Sequence, residues 1–371
     1  MRVGIEARLA VSPAEHTGFE FYLHGLVRGL AALAPDDEVF LYFKPGPGIR
    51  DDALPRAKCL RPRPIALRAG WLTLGLPWAV WRDGVRAMLF PYAVLPRFLT
   101  APAVVTFHDL TFESNPEWYT DAQLHNALGP HRDALRRAAH FIVPSQSTKA
   151  DMQRLFGTAP ERIIVIPHGT PAHCRPDPGG AQRLRARLAL PERYILTVGA
   201  IQPRKNLETL VTAVAQARTG GDDLHLVIAG PRGWKNEAVF ACIEALGVGA
   251  AVHFPGYIGE DDLSGLYTGA VALAFPSWYE GFGLPVLEAM ACGCPVVCSD
   301  RGSLPEVAGD AAWLLPPDQP ERWTEALRTL WHDDDRRRAL REAGLRRAAQ
   351  FSWVETARRT LEVLRTVAEG N

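Results

Sequence analysis

Six cysteines in 371 residues are too few and too scattered for a disulfide-stapled extracellular domain. Cys59, Cys174 and Cys242 stand alone, and Cys292, Cys294 and Cys298 lie in an apolar run among Ala, Pro and Val. That cluster lacks the two separated Cys-x-x-Cys pairs of a zinc module, so its thiols read as small buried hydrophobes in a reducing compartment. Net charge is also missing: 41 basic side chains balance 41 acidic ones, which removes the global electrostatic case for a nucleic-acid partner. The most apolar stretch, Ala69 to Trp81, has thirteen residues, where a spanning helix needs about 20. The amino end is too weakly apolar for a signal peptide, so the mature chain is expected to start at Met1. No Gly-x-Gly-x-x-Gly, Walker A or Gly-x-Ser-x-Gly motif occurs, which argues against a nicotinamide dehydrogenase, an NTPase and a serine hydrolase.

What the chain does have is strand alternating with helix. Short apolar runs recur at Val3 to Ile5, Val39 to Phe43, Ala87 to Phe90, Val104 to Phe107, Phe141 to Val143 and Ile163 to Ile166, with helix-compatible stretches such as Glu20 to Leu33 and Ala122 to Ala139 between them. The pattern repeats at Tyr194 to Val198, Leu224 to Ala229, Val252 to Phe254, Val271 to Phe275, Val296 to Cys298 and Ala312 to Leu315. Two doubly wound parallel sheets are expected. The Pro- and Gly-rich segment Pro167 to Pro191 reads as the linker, which gives a first domain over 1–175 and a second over 176–350.

Ligands of such sheets bind beyond the carboxyl ends of the strands, so the residues there are the ones to search. Arg204 and Lys205 follow one strand and precede an apolar-periodic helix, with Asn206 as its expected N-cap. Lys205 is one of only five lysines beside 36 arginines. The two cations suit a diphosphate clamp, because point charges, helix dipole and free amides all favour an anion; a solvated basic turn is the plain alternative. Glu280 and Glu288 bracket a glycine loop and a short helix starting near Pro285. Gly281 and Gly283 admit close backbone approach, and Glu288 is a carboxylate where a core residue belongs, either a ligand group or the partner of a buried arginine. His108 sits at the tip of an apolar strand, and Gly18 in the turn between the first strand and the first helix.

The string from Pro276 to Val297, containing Glu280-Gly281-Phe282-Gly283-Leu284-Pro285 and Glu288, resembles the signature of family 4 glycosyltransferases. The likeness continues through Gly199 to Leu207, Phe254 to Tyr257, Gly302 to Val307, Phe351-Ser352-Trp353, Thr106 to Leu110, Val143 to Ser145 and Ile166 to Gly169. It implies an α/β chain of GT-B fold, two facing Rossmann-like domains with a cleft between them, the first binding the acceptor, the second the nucleotide sugar. The C-terminal helix of 351–371 would pack back on the first domain. It further implies retaining, metal-independent hexosyl transfer, with no cofactor. Carried onto this sequence, Arg204 and Lys205 would hold the donor diphosphate and Glu288 the ribose. Glu280 with the Phe282 and Gly283 amides would hold the sugar, and His108 would contact that sugar from the other domain. Gly199, Tyr257, Ile258, Gly281 and Leu284 would complete the donor site together with Gly18, where Glu20 replaces the second glycine of the usual turn. Similarity of Thr106 to Glu113 and Asn115 to Tyr119 to bacterial polysaccharide mannosyltransferases implies GDP-mannose as donor; a UDP-hexose donor and a non-catalytic sugar-nucleotide-binding protein are the alternatives.

The acceptor expectation starts from Arg50 to Trp81. Six cations there face only Asp51 and Asp52 before Trp71, Leu72, Leu74, Leu76, Trp78 and Trp81. Cations followed by indoles suit a peripheral contact of 50–81 with an anionic membrane face, which implies a cytoplasmic protein that can reach a polyprenyl-diphosphate-linked or other lipid-linked saccharide. A buried helix beside a solvated basic loop is the alternative.

Overall fold

The computed structural model describes residues 1–11, 18–46, 54–67 and 69–370. The chain forms two compact units: Met1–Ser114, Asp121–Gly169 and Ser352–Asn371 make the first, and Asn115–Thr120 with Thr170–Phe351 the second. The chain thus passes to the second unit after Gly169, a few residues before the expected boundary at 175, and the short segment Asn115–Thr120 belongs to the second unit although its neighbours in sequence do not.

In the first unit, strands β1 (Arg2–Glu6), β2 (Glu38–Phe43), β3 (Leu60–Pro64), β4 (Ala87–Phe90), β5 (Ala103–Thr106), β6 (His140–Val143) and β7 (Ile163–Val165) form one parallel sheet in the order β3-β2-β1-β4-β5-β6-β7. The second unit holds β8 (Ile195–Val198), β9 (Leu226–Ala229), β10 (Val252–Gly256), β11 (Ala272–Phe275), β12 (Val296–Ser299) and β13 (Trp313–Leu315), ordered β10-β9-β8-β11-β12-β13 and again parallel. Alternate residues enter opposite cores, as in β4, where Ala87 and Leu89 face one and Met88 and Phe90 the other. Strands buried on both faces are largely apolar, which is why they stand out as near-continuous runs. Each sheet reverses its winding once, at β1/β4 and at β8/β11, and these switch points are where open α/β sheets leave a crevice for ligands.

Strand β3 is absent from the sequence reading because Leu60-Arg61-Pro62-Arg63-Pro64 has no apolar run. It is an edge strand: Cys59 O accepts from Val39 N at 2.8 Å and Ile65 N donates to Phe43 O at 2.9 Å. Bonding to β2 therefore falls on odd positions and leaves the Pro62 and Pro64 nitrogens on the open side, where no N–H is required. The expected linker is corrected as well. Pro178–Leu188 is a helix, with Asp177 Oδ1 accepting from Gly180 N at 2.8 Å and Pro178 in the first turn. Its glycines serve contact rather than flexibility, since a Cβ on Gly265 of the helix Glu260–Gly269 would stand 2.7 Å from the Gly180 carbonyl carbon. The C-terminal helix, Trp353–Glu369, belongs to the first unit, where Trp353 stacks on His168 with centroids 5.8 Å apart. All three clustered cysteines are buried.

Candidate active site

At the β8/β11 switch point, Gly199 to Gln202 lead from β8 into a 3-10 turn, Pro203–Lys205, and then the helix Leu207–Thr219. Asn206 takes the left-handed conformation (φ 52°) and does not cap that helix with its side chain. Its Nδ2 instead donates to Pro276 O (3.1 Å) and Pro317 O (2.7 Å), while Thr209 Oγ1 donates to its Oδ1 (3.0 Å). One amide thereby ties the turn to the segments following β11 and β13.

The basic turn is not solvated. Lys205 is 8% exposed and lies along Gly199, where a Cβ would sit 3.0 Å from Lys205 Cε. Its ammonium stands 4.5 Å from the centre of the Phe275 ring and donates to Glu280 Oε1 at 2.7 Å. Arg204 Nη1 donates to Glu280 Oε2 and to Tyr279 O (2.9 Å), and its carbonyl accepts from Trp278 N (2.9 Å). Burial alone would raise the Glu280 carboxyl; the Arg204 and then the Lys205 charge outweigh it and hold the pKa at about 2. Two cations and one carboxylate, all nearly buried, leave a net positive charge at the switch point. An anionic diphosphate would complete that balance.

The loop around Glu280 is fixed from below. Ser303 donates to Glu280 O through its N (3.2 Å) and Oγ (2.8 Å). Gly281 precedes Phe282, whose ring meets Phe351 edge-on at 5.9 Å. Gly283 has φ 99°, and a Cβ there would strike Leu304 Cδ2 at 2.6 Å, so the turn into the helix Leu284–Ala291 needs glycine. On that helix Glu288 is 5% exposed, and its partner is not an arginine: Tyr267 Oη donates to Glu288 Oε2 at 2.8 Å. Burial raises the Glu288 pKa to about 7, with the Tyr267 hydrogen bond and the Lys205 charge opposing and Glu260 adding to the rise. Tyr257 is exposed and Ile258 buried just past β10.

His108 and Gly18 belong to the first unit. Gly18 opens the helix Gly18–Leu33, in whose first turn Glu20 is buried. His108 Nε2 is 2.9 Å from Pro91 O, and since a carbonyl only accepts, that nitrogen carries the proton. Tyr22 meets the ring edge-on at 4.8 Å, and burial lowers the His108 pKa to about 4, so the imidazole is neutral at pH 7. Sequence reading missed Tyr267, the Asn206 staple and Ser303. Among the described residues no three His, Cys, Asp or Glu side chains are arranged to hold a metal ion.

Comparison with known proteins places the chain in a family. Residues 181–347 match the model of "Glycosyl transferases group 1" and residues 16–173 that of "Glycosyltransferase Family 4". The O-antigen chain mannosyltransferase B of Escherichia coli is 32% identical over 269 residues, 70% of this chain and 69% of that protein. The chain belongs to the group 1 glycosyltransferases. A D-inositol 3-phosphate glycosyltransferase of Catenulispora acidiphila is 32% identical over 292 residues, 75% of this chain and 70% of that one. Among solved structures, the sucrose-phosphate synthase of Thermosynechococcus elongatus superimposes with a TM-score of 0.77 at 22% identity, with all of both chains covered. The fold of this glycosyltransferase is thus GT-B: two Rossmann-like layers, each a parallel sheet with helices on both faces. No helix among the described residues is long and apolar enough to cross a membrane.

Proposed function

We propose that this glycosyltransferase moves mannose from GDP-mannose to a saccharide acceptor, with retention at the anomeric carbon and without a metal. The observation that carries the reading is the buried Arg204–Lys205–Glu280 cluster at the switch point of the second sheet. Breaking the anomeric C–O bond puts positive charge on the sugar and negative charge on the departing diphosphate. Fixed cations already desolvated at Arg204 and Lys205 stabilise that separation without reorganising at the moment of reaction. The acceptor hydroxyl attacks the face the diphosphate leaves, its proton passes to a phosphate oxygen, and GDP departs.

In the donor site Glu288 accepts the ribose hydroxyls, Glu280 and the amides of Phe282 and Gly283 hold the sugar, and Gly199, Tyr257, Ile258, Gly281 and Leu284 line it. His108, by the family likeness, takes the role of a sugar contact with a neutral ring. Mannose as the transferred sugar is supported by the relative named for O-antigen mannosyl transfer. A panel of UDP-, GDP-, ADP- and dTDP-sugars assayed for release of nucleoside diphosphate tests it: turnover of GDP-mannose is expected, and turnover of UDP-glucose alone would reverse the assignment.

The acceptor reading extends to a lipid-linked saccharide at the cytoplasmic face of the inner membrane. Arg50, Asp51, Asp52 and Arg68 lie outside the described residues. Arg61 pairs with Glu38 and Arg63 with Asp83, and Trp71 is buried. Leu74, Trp78 and Trp81 are 67%, 57% and 65% exposed, at helical spacing, with Arg82 over the Trp78 ring at 4.7 Å. Indoles beside a guanidinium match the anionic headgroup region of a bilayer.

A further inference from the structure

The switch point of the first sheet carries a second buried carboxylate–cation pair, to which no function has so far been attached. Glu6, the last residue of β1, is fully buried, and its Oε1 accepts from Arg8 N (3.0 Å) and Arg8 Nε (2.8 Å). Arg8 Nη2 donates to the hydroxyl of Tyr92 at 2.5 Å, just beyond β4. The guanidinium lies over Trp71, 4.7 Å from the ring centre, with the Tyr92 ring at 5.8 Å. These groups therefore rise from the two strands flanking the β1/β4 reversal, where an open parallel sheet offers its ligand crevice.

We propose that the Glu6–Arg8–Tyr92 cluster is the acceptor subsite for an uncharged pyranose, whose hydroxyls it reads through the free edge of the Arg8 guanidinium. The sugar's role as acceptor rests on the transfer reaction proposed above. Charge decides the ligand class. Glu6 neutralises Arg8, so the cluster lacks the surplus positive charge that a phosphate needs. The hydroxyls of a neutral sugar find both donors and acceptors there. Order supports it too: Nε and Nη2 are committed to Glu6 and Tyr92, which fixes the guanidinium plane, while Nη1 takes no part in these bonds and the side chain is 31% exposed. A planar donor held in advance loses little freedom on binding. The indole N–H of Trp71, 4% exposed, has no acceptor among the described residues, so the base of the cluster holds an unspent donor. Finally, Pro91, next to Tyr92, is the residue whose carbonyl holds His108 Nε2. The segment that orients Arg8 thus also orients the ring assigned to the transferred sugar.

The test uses the full chain with methyl α-mannopyranoside as the acceptor probe, followed by saturation-transfer NMR, and GDP as the donor probe, followed by calorimetry. Saturable pyranoside binding is expected in the parent, weakened about tenfold or more by Arg8→Gln, which loses charge-assisted hydrogen bonds, with GDP affinity unchanged. Tyr92→Phe removes only the hydroxyl that orients Nη2 and decides the matter where Arg8→Gln fails to fold; a weaker, several-fold loss is expected. Equal pyranoside affinity in parent and variants overturns the assignment, as does a parent without saturable pyranoside binding. Displacement of the pyranoside by inorganic pyrophosphate, with an affinity that itself depends on Arg8, would make this an anion site instead. If GDP does not bind while pyranoside binding keeps its dependence on Arg8, the donor reading falls and the subsite stands.

Discussion

Replacing Glu288 with Gln is expected to stabilise the unliganded protein at pH 8 while weakening its hold on nucleotide. The folded carboxyl titrates at about 7 against an ordinary value of 4.5, chiefly because it is buried. An acid whose folded pKa is raised costs nothing below its unfolded pKa. The cost grows between 4.5 and 7 and is complete above 7. At 1.36 kcal/mol per unit, the full penalty is about 3 kcal/mol at pH 8 and about 1 kcal/mol at pH 5. With the residue 5% exposed, water screens little of it. A glutamine keeps a carbonyl oxygen for the Tyr267 hydroxyl and carries no charge to desolvate. Urea unfolding of parent and variant at both pH values measures the difference, which should be about 2 kcal/mol larger at pH 8 than at pH 5. A variant no more stable than the parent at pH 8, or equally stabilised at both pH values, would refute the reasoning. Calorimetry with nucleoside diphosphate supplies the other half: affinity should fall about tenfold, because a carboxylate acceptor has become a neutral one.

Alanine at Arg204 or at Lys205 should weaken donor affinity or turnover tenfold or more, since each removes charged hydrogen bonds worth about 1.5 to 3 kcal/mol; unchanged steady-state kinetics in both variants would remove the clamp. Glu280→Gln leaves two nearly buried cations without their carboxylate and should cost about 3 kcal/mol in unfolding free energy, measured by denaturant titration at pH 7. His108→Ala should lower kcat with little change in nucleotide affinity. Because the ring already titrates at about 4, the parent's kcat profile should show no inflection near 6.5 that disappears in the variant. Sedimentation with anionic vesicles should capture the parent at low salt and lose it on joint replacement of Trp78 and Trp81; equal recovery of both proteins would point to a soluble acceptor.

The central strands and the two-sheet plan could be read from the sequence because a strand buried on both faces is apolar at most of its positions. What was hidden follows the same physics. Strand β3 carries Pro62 and Pro64 because an edge may leave nitrogens unpaired, and the helix Pro178–Leu188 looked like a linker because its Pro occupies the first turn and its Gly180 receives another helix. The site shows a similar split. Arg204, Lys205 and Glu280 were visible as charged residues just beyond strand ends, and Glu288 as a carboxylate inside an apolar helix. Their pairing was not, because Glu280 lies 75 and 76 residues from its cations and Tyr267 lies 21 from Glu288. Arg8 drew no notice at all, since a lone cation after a strand has no local signature until Tyr92 and Trp71 are folded against it.

Thr170 and Phe351, the two ends of the second unit's main segment, are hydrogen-bonded to each other, N to O at 3.1 Å, and the Thr170 hydroxyl donates to Ala348 O at 2.8 Å. A stretch of chain whose start and finish meet in this way behaves as a cassette. It can be excised or grafted at one seam without cutting through a sheet, and its own termini can be joined to open it elsewhere. One element spoils the cut. Trp234 Nε1 and Lys235 Nζ donate to the carbonyls of Trp118 (2.8 Å) and Glu117 (2.7 Å), which an excised Thr170–Phe351 would leave behind. A transplanted second-unit cassette therefore has to carry the peptide Asn115–Thr120 with it, or replace Trp234 and Lys235 by residues content with water.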